Sequence, residues 1–324
     1  MATKFYPNTN HATLEAALLA IGEWFCGGVT GPGWTLIGAY SSNNAAFETP
    51  VAGNSLSALP AGNGWKEGVL VVGDYVLLET TNATSGVFQV GFEYQGATTW
   101  RIILAPSGGF NVGGAVADMT DAGNWTNPKL TTLDLDITGT VALGRYTVKA
   151  DDDHCWIKYY DTVTYSTMRT TYIGNPEDHD TTDTHPALLY YGITENAGAN
   201  NSGYADYDSS YWRKISPSDG TTEISLGCTN FPSSYWVDFA TGSPNYAKNV
   251  VSGKWDLFPI YLYCLSAAYM HRAGKLRGVY FTNKSIGFQG HGVLANKDYA
   301  WHKNYSESWA PIITEWDGTT ALGN

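Results

Sequence analysis

Ionisable side chains are scarce in this chain. Asp, Glu, Lys and Arg make up 15% of its 324 residues, against about 25% in an ordinary soluble domain. A monomer relies on charged surface to stay apart from its neighbours, so the shortage points toward a component that other proteins cover. Basic residues are the scarcer half, with 18 Lys and Arg against 30 Asp and Glu and a formal net charge of −12. They are scattered, with no polybasic run, which excludes a surface that tracks nucleic-acid phosphates. No apolar run is long enough to span a bilayer, so no membrane partner is expected. Residues 1–10 are polar and lead into a short amphipathic stretch, not into a charged n-region and an apolar h-region. Synthesis and retention in a cytoplasm, with release only by lysis, is the expectation.

Cysteine is also sparse. Cys26, Cys155, Cys228 and Cys264 lie far apart, in a spacing that fits neither a zinc knuckle nor a disulfide scaffold. Buried reduced thiols are expected. A Cys155 nucleophile beside His154 is set aside, because adjacent residues on a strand point to opposite faces. A Gly-x-Ser-x-Gly elbow and a phosphate-binding Gly-rich loop with its Lys are both missing. These absences argue against an enzyme and against a bound cofactor.

What the chain has in plenty is aromatic and small residues: 12 Trp, 22 Tyr, 11 Phe and 36 Gly. One helix is legible over residues 13–25, where Leu14, Leu18, Ile21 and Phe25 share a face and Gly27-Gly28 stops the chain. After the break at Gly31-Pro32-Gly33 the apolar period shifts to two. Residues 34–39, 70–79, 87–94 and 100–104 read as strands, the last three as a meander. Further strands are expected over residues 130–137, 145–150, 154–160 and 164–173. Residues 257–270 and 276–282 read as two more, joined by a turn at Ala273-Gly274, with a helix over 264–271 as the alternative. The fold class is therefore mainly β, in β-sandwich-like sheets with long loops and one N-terminal amphipathic helix. Two regions are expected, 1–128 with the helix and meander and 129–324 with the longer set of strands.

Three polar or aromatic clusters carry the candidate chemistry. Asp178, His179, Asp180, Asp183 and His185 offer carboxylate and imidazole ligands for a divalent cation, but in no EF-hand spacing; a solvated acidic loop is the competing reading. Asp151-Asp152-Asp153-His154 reads as an exposed hairpin turn, since three adjacent carboxylates repel one another. Tyr204, Tyr207, Tyr211 and Trp212 crowd a polar stretch, residues 196–220, that is longer than the usual connection. Trp301, Trp309 and Trp316, with Tyr305, crowd the C-terminal region. Aromatic platforms edged with polar groups also suit sugars, so recognition of a host surface glycan is the alternative to docking against neighbouring subunits. With Leu14, Leu18 and Phe25 of the helix, these aromatics form the expected assembly surface.

Several segments together resemble uncharacterised virion proteins of tailed bacteriophages. The run from His154-Cys155-Trp156-Ile157-Lys158-Tyr159-Tyr160 to Thr171-Tyr172-Ile173-Gly174, then His185-Pro186 and Tyr190-Tyr191-Gly192, is similar to their strand, aromatic-Ile-Gly turn and Pro-containing segment. Phe258-Pro259-Ile260-Tyr261-Leu262 and the stretch Gly274-Lys275-Leu276-Arg277-Gly278-Val279-Tyr280-Phe281 resemble their Pro-containing strand and turn-strand. The likeness covers about half the chain in patches, and the chain departs from it at Thr282-Asn283-Lys284. The resemblance implies a structural subunit of the virion, in the neck, collar, tail or baseplate, whose partners are copies of itself and other virion proteins. A tail or baseplate carbohydrate-binding module and a capsid decoration protein are its alternatives. It implies no catalytic residues.

Overall fold

The computed structural model describes residues 3–6, 9–84, 86–114, 119, 124–125, 130–131, 135–136, 144–161, 168–193, 212–215, 217, 220, 222–228, 258–265, 270–281, 290–294, 297–301 and 312–316. The chain opens with two short strands, β1 (Lys4–Phe5) and β2 (Thr9–His11), and then forms helix α1 (Leu14–Cys26). Thr13 caps the helix, its Oγ1 accepting from the Ala16 amide at 3.1 Å, and Gly27 closes it. The predicted helix is thus displaced by one residue.

A first antiparallel sheet follows. It comprises β3 (Thr35–Ser41), β4 (Ala46–Glu48), β5 (Tyr75–Glu79), β6 (Phe88–Gly96), β7 (Thr99–Pro106), β8 (Leu130–Thr131) and β9 (Leu135–Asp136), with the short helix α2 (Gly64–Glu67) between β4 and β5. The order is β4-β3-β5-β6-β7-β8, with β9 also on β7. The meander β5-β6-β7 is as expected, although residues 70–74 form a turn and not the start of β5. Both faces of this sheet are buried. Leu36, Val76, Leu78, Val90, Phe92, Ile102 and Leu104 face α1 and the main core. Tyr40, Tyr75, Leu77, Ile103 and Ala105 face Phe110, Met119 and Trp125. A bulge in β3 at Ile37 is what lets Leu36 and Ala39, three apart, both reach the main core.

The second sheet holds β10 (Gly144–Ala150), β11 (His154–Asp161), β12 (Met168–Gly174), β13 (Leu188–Ile193), β14 (Trp212–Ile215), β15 (Glu223–Cys228), β16 (Phe258–Leu265), β17 (Met270–Phe281), β18 (Gly290–Leu294), β19 (Lys297–Trp301) and β20 (Ile312–Trp316). Its order is β1-β10-β11-β12-β13-β14-β15-β16-β17-β20-β19-β18, with β2 also on β10. Val148, Ala150, Cys155, Ile157, Ile173, Leu189 and Ile215 from this sheet join the same main core as α1 and the first sheet. A mainly β protein results, with sheets packed across a shared apolar interior.

Several expectations are corrected. The boundary near residue 128 does not separate the sheets: β1 and β2 pair with β10, while β8 and β9 pair with β7. Ala273-Gly274 is no turn but lies inside β17. Gly274 has φ +136, and a Cβ there would lie 2.6 Å from the Pro176 ring; glycine lets the loop before β13 bridge Glu177 to Lys275. Residues 264 and 265 close β16 and 270 and 271 open β17, so the helical alternative fails over those positions. The polar stretch 196–220 contains β14, and Trp301 and Trp316 lie on β19 and β20.

Candidate functional site

Two buried polar clusters stand out, one at the turn joining β10 to β11 and one where the loop before β13 meets β14. The first is the tight turn joining β10 to β11. It was expected to be exposed, but Asp151, Asp153 and His154 are all buried. The repulsion among carboxylates is relieved by directed partners instead of water. Asp151 Oδ1 accepts from the amides of Asp153 and His154, each at 3.0 Å, and from His154 Nδ1 at 2.7 Å. Asp153 Oδ2 meets Arg277 of β17 at 2.9 Å and Asn82 at 3.3 Å.

The backbone of the turn is tied as closely. The Asp151 carbonyl accepts from the Trp34 indole at 2.7 Å, and the Asp152 carbonyl from the amides of Thr81 and Asn82 at 3.1 Å. On the far side His154 stacks on Tyr172 at 5.8 Å, and Gly174 closes against the turn. This knot therefore joins α1's exit, the first sheet and four strands of the second, β10, β11, β12 and β17. Charge follows from the same contacts. Burial works against a charged His154, but its bonds to Asp151 and Asp153 outweigh that and raise its pKa above the ordinary 6.5. Burial likewise works against the Asp151 anion, yet the His154 bond prevails and holds its carboxyl well below the usual range.

One ligand atom from each of Asp151, Asp153 and His154 lies within 4.8 Å of the others, the one such metal-competent group among the described residues. The geometry favours a hydrogen-bonded knot over a metal site. Asp151 Oδ1 already accepts three N–H donors, and the Arg277 guanidinium occupies the cation position beside Asp153. The side chains of His154 and Asp153 are sealed from solvent.

The second cluster contains part of the loop predicted to hold a cation. Asp183 is buried, and its partner is Lys214 of β14, with Nζ 2.5 Å from Oδ2 and both side chains sealed from solvent. The Asp183 Oδ1 accepts from the His185 amide at 3.0 Å, and the His185 carbonyl accepts from Lys214 Nζ. The other candidate ligands point elsewhere. Asp178 sits 3.6 Å from Lys275 Nζ, His179 Nδ1 contacts the Pro176 carbonyl at 2.9 Å, and Asp180 Oδ1 accepts from Thr182. The five do not converge; a lysine ammonium stands where a cation was expected at Asp183. Sequence reasoning missed Lys214, whose only signal is the cation pair Arg213-Lys214 between Trp212 and Ile215 in an otherwise polar run.

The expected assembly residues divide. Leu14, Leu18 and Phe25 are buried within the chain's own core, which corrects their assignment to a neighbour: the helix's apolar face is already covered by Trp34, Phe92 and the second sheet. All six Trp residues with described side chains, Trp24, Trp34, Trp65, Trp100, Trp125 and Trp156, are buried. Aromatic abundance in this part of the chain builds core and not exterior. Trp212, Trp301 and Trp316 lie on strands; Tyr204, Tyr207, Tyr211, Tyr305 and Trp309 fall outside the described residues. Cys26 and Cys155 are free and buried, as expected, with burial pushing the Cys26 thiol up to about 12.

Among the described residues, the large hydrophobic side chains that stay exposed are valines. Val69, Val71 and Val72 are 55%, 42% and 58% exposed, with Leu70 buried between them. Four amides of their turn are tied down: Val69 N–H donates to Gly64 O and Gly73 N–H to Tyr94 O, Leu70 N–H to Glu15 Oε1 at 2.6 Å, and Val71 N–H to Asp74 Oδ2 at 3.0 Å. No helix among the described residues is long and apolar enough to cross a membrane. Compared with known proteins, the chain matches no family model and no curated protein.

Proposed function

We propose that the chain is a structural subunit that works by contact, assembling with copies of itself and other proteins of a tailed-phage virion, in the neck, collar or tail. The carrying observation is the Val69–Val72 turn. Single exposed aliphatics are common, but three within four residues, on a turn whose Val69, Leu70, Val71 and Gly73 amides are all hydrogen-bonded, form a rigid apolar tip. Branched, stiff side chains lose little rotamer freedom on docking. The low charge of the chain supports the same reading, and the motif resemblance supports its placement in a phage particle. Neither buried cluster has the solvent access that turnover requires.

Sedimentation velocity over a concentration series tests the contact. Reversible association is expected for the wild type, alone or with co-purifying particle proteins, and is lost in a Val69→Ser, Val71→Ser, Val72→Ser variant whose melting temperature is unchanged. Equal association by both proteins refutes the role of the tip. Gold-labelled antibody against the chain is expected at one fixed position on intact tailed particles; unlabelled particles refute the virion placement.

A further inference from the structure

The Asp183–Lys214 contact has a geometry that an ordinary ion pair does not explain. Lysine is almost never fully buried, yet Lys214 is 0% exposed. Its Nζ lies 2.5 Å from Asp183 Oδ2, inside the roughly 2.7–2.9 Å of a charge-assisted N–H···O bond, and Oδ2 nevertheless has no partner at hydrogen-bond angles. The two carboxylate oxygens are also treated differently. Oδ1 is gripped by the His185 amide, a donor placed as in an oxyanion hole. Among the described residues, Oδ2 meets the amine. The His185 carbonyl, by accepting from Nζ, holds the nitrogen beside the carboxyl group.

We infer that Lys214 and Asp183 join in an intramolecular isopeptide bond, formed by the chain itself with His185 as the proton carrier. The atoms balance without any co-reactant. The ammonium first passes one proton to Oδ2, leaving a neutral amine and a carboxylic acid. The Nζ lone pair then attacks Cγ, and the developing charge on Oδ1 is met by the His185 N–H. A second proton moves from Nζ to Oδ2 through the imidazole, the Cγ–Oδ2 bond breaks, and Oδ2 leaves as water. An Nζ–Cγ amide remains, and nothing is oxidised or reduced.

His185 suits the relay. Its Nδ1 is buried without a hydrogen-bond partner. Burial holds the imidazole below its ordinary value, with Asp183 and Lys214 as its charged neighbours, so it is neutral near pH 7 and free to take and return a proton. Gly220 lies against the ring, where a Cβ would stand 3.6 Å from Nε2. The link would tie the loop before β13 to β14, closing the intervening chain into a covalent loop that constrains the unfolded state as a disulfide does.

Intact mass of the full chain, measured denatured and reduced, decides the matter. The wild type is expected to be lighter than its sequence by one water, with no tryptic cleavage after Lys214 and a branched peptide containing Asp183 and Lys214. The deficit disappears in Lys214→Arg and Asp183→Ala, and His185→Ala slows its appearance by tenfold or more in freshly made protein. Full sequence mass for the wild type overturns the inference, as does a water loss mapped to any other residue. Because the wild type alone gives both results, the test survives variants that fail to fold.

Discussion

At the scale of single residues, the Asp151–His154 pair sets how stability responds to pH. The folded state raises the pKa of His154, so its contribution is fully present below about 6.5, the unfolded value, and is lost as pH rises through the higher folded value. Asp151 is lowered, so its contribution is present above about 3.9 and is lost as pH falls toward its folded value. Stability carried by the pair should therefore be largest between these limits. Asp151→Asn, which leaves the buried imidazole without its counter-charge, is expected to cost about 3 kcal/mol near pH 6 and less above the raised value. Urea denaturation at pH 6 and pH 9 checks this; an equal loss at both would rule the ionised pair out.

Gly174 makes a sharper case at the same scale. It has φ +135, and a Cβ would lie 2.4 Å from both the Asp153 carbonyl oxygen and His154 Cα. Those are backbone atoms and cannot swing aside. At Gly91 the corresponding obstacle is the Met119 sulfur at 2.6 Å, the end of a flexible side chain. Gly174→Ala should accordingly cost about 4 kcal/mol or more, and Gly91→Ala about 1–3 kcal/mol. Guanidinium midpoints of the two variants give the order, and a milder effect at Gly174 contradicts the account.

At the scale of elements, α1 depends more on what it packs against than on its ends. Thr13→Ala removes one capping bond and should cost about 1 kcal/mol. Trp34→Ala should cost about 3–5 kcal/mol, because Trp34 stacks on Phe25 at 4.6 Å and donates to the Asp151 carbonyl across the sheets. Thermal melts that place Thr13→Ala below Trp34→Ala would reverse that ranking.

The same elements show what the sequence could disclose. Period and punctuation located α1 and the β5-β6-β7 meander, because those features are local. The bulge at Ile37, the use of Gly274 inside β17 and the pairing of β1 and β2 with β10 were not legible, since each is fixed by a distant partner. The candidate sites divide in the same way. Asp183 and His185 stood out as polar residues, but Lys214 comes from another strand, and Arg277 reaches Asp153 from more than a hundred residues away. For the same reason the acidic turn looked exposed: besides the adjacent His154, the partners of Asp153, Arg277 and Asn82, are distant along the chain.

At the scale of the whole molecule, charge and apolar contact oppose one another. Copies carrying a formal −12 repel at a distance, while the Val69, Val71 and Val72 tip attracts only at contact. Salt separates the two effects. The screening length falls from roughly 10 Å at 0.1 M to roughly 3 Å at 1 M, whereas burial of aliphatic surface is not weakened by sodium chloride. Association through the valine turn should therefore strengthen as salt is raised, by about tenfold between 0.05 M and 0.5 M if relief of repulsion approaches 1.4 kcal/mol. Assembly held by ion pairs between subunits would weaken over the same range. Sedimentation equilibrium at the two salt concentrations distinguishes them: dissociation at 0.5 M would remove the apolar tip as the basis of assembly and place the contact on the few charged side chains the surface carries.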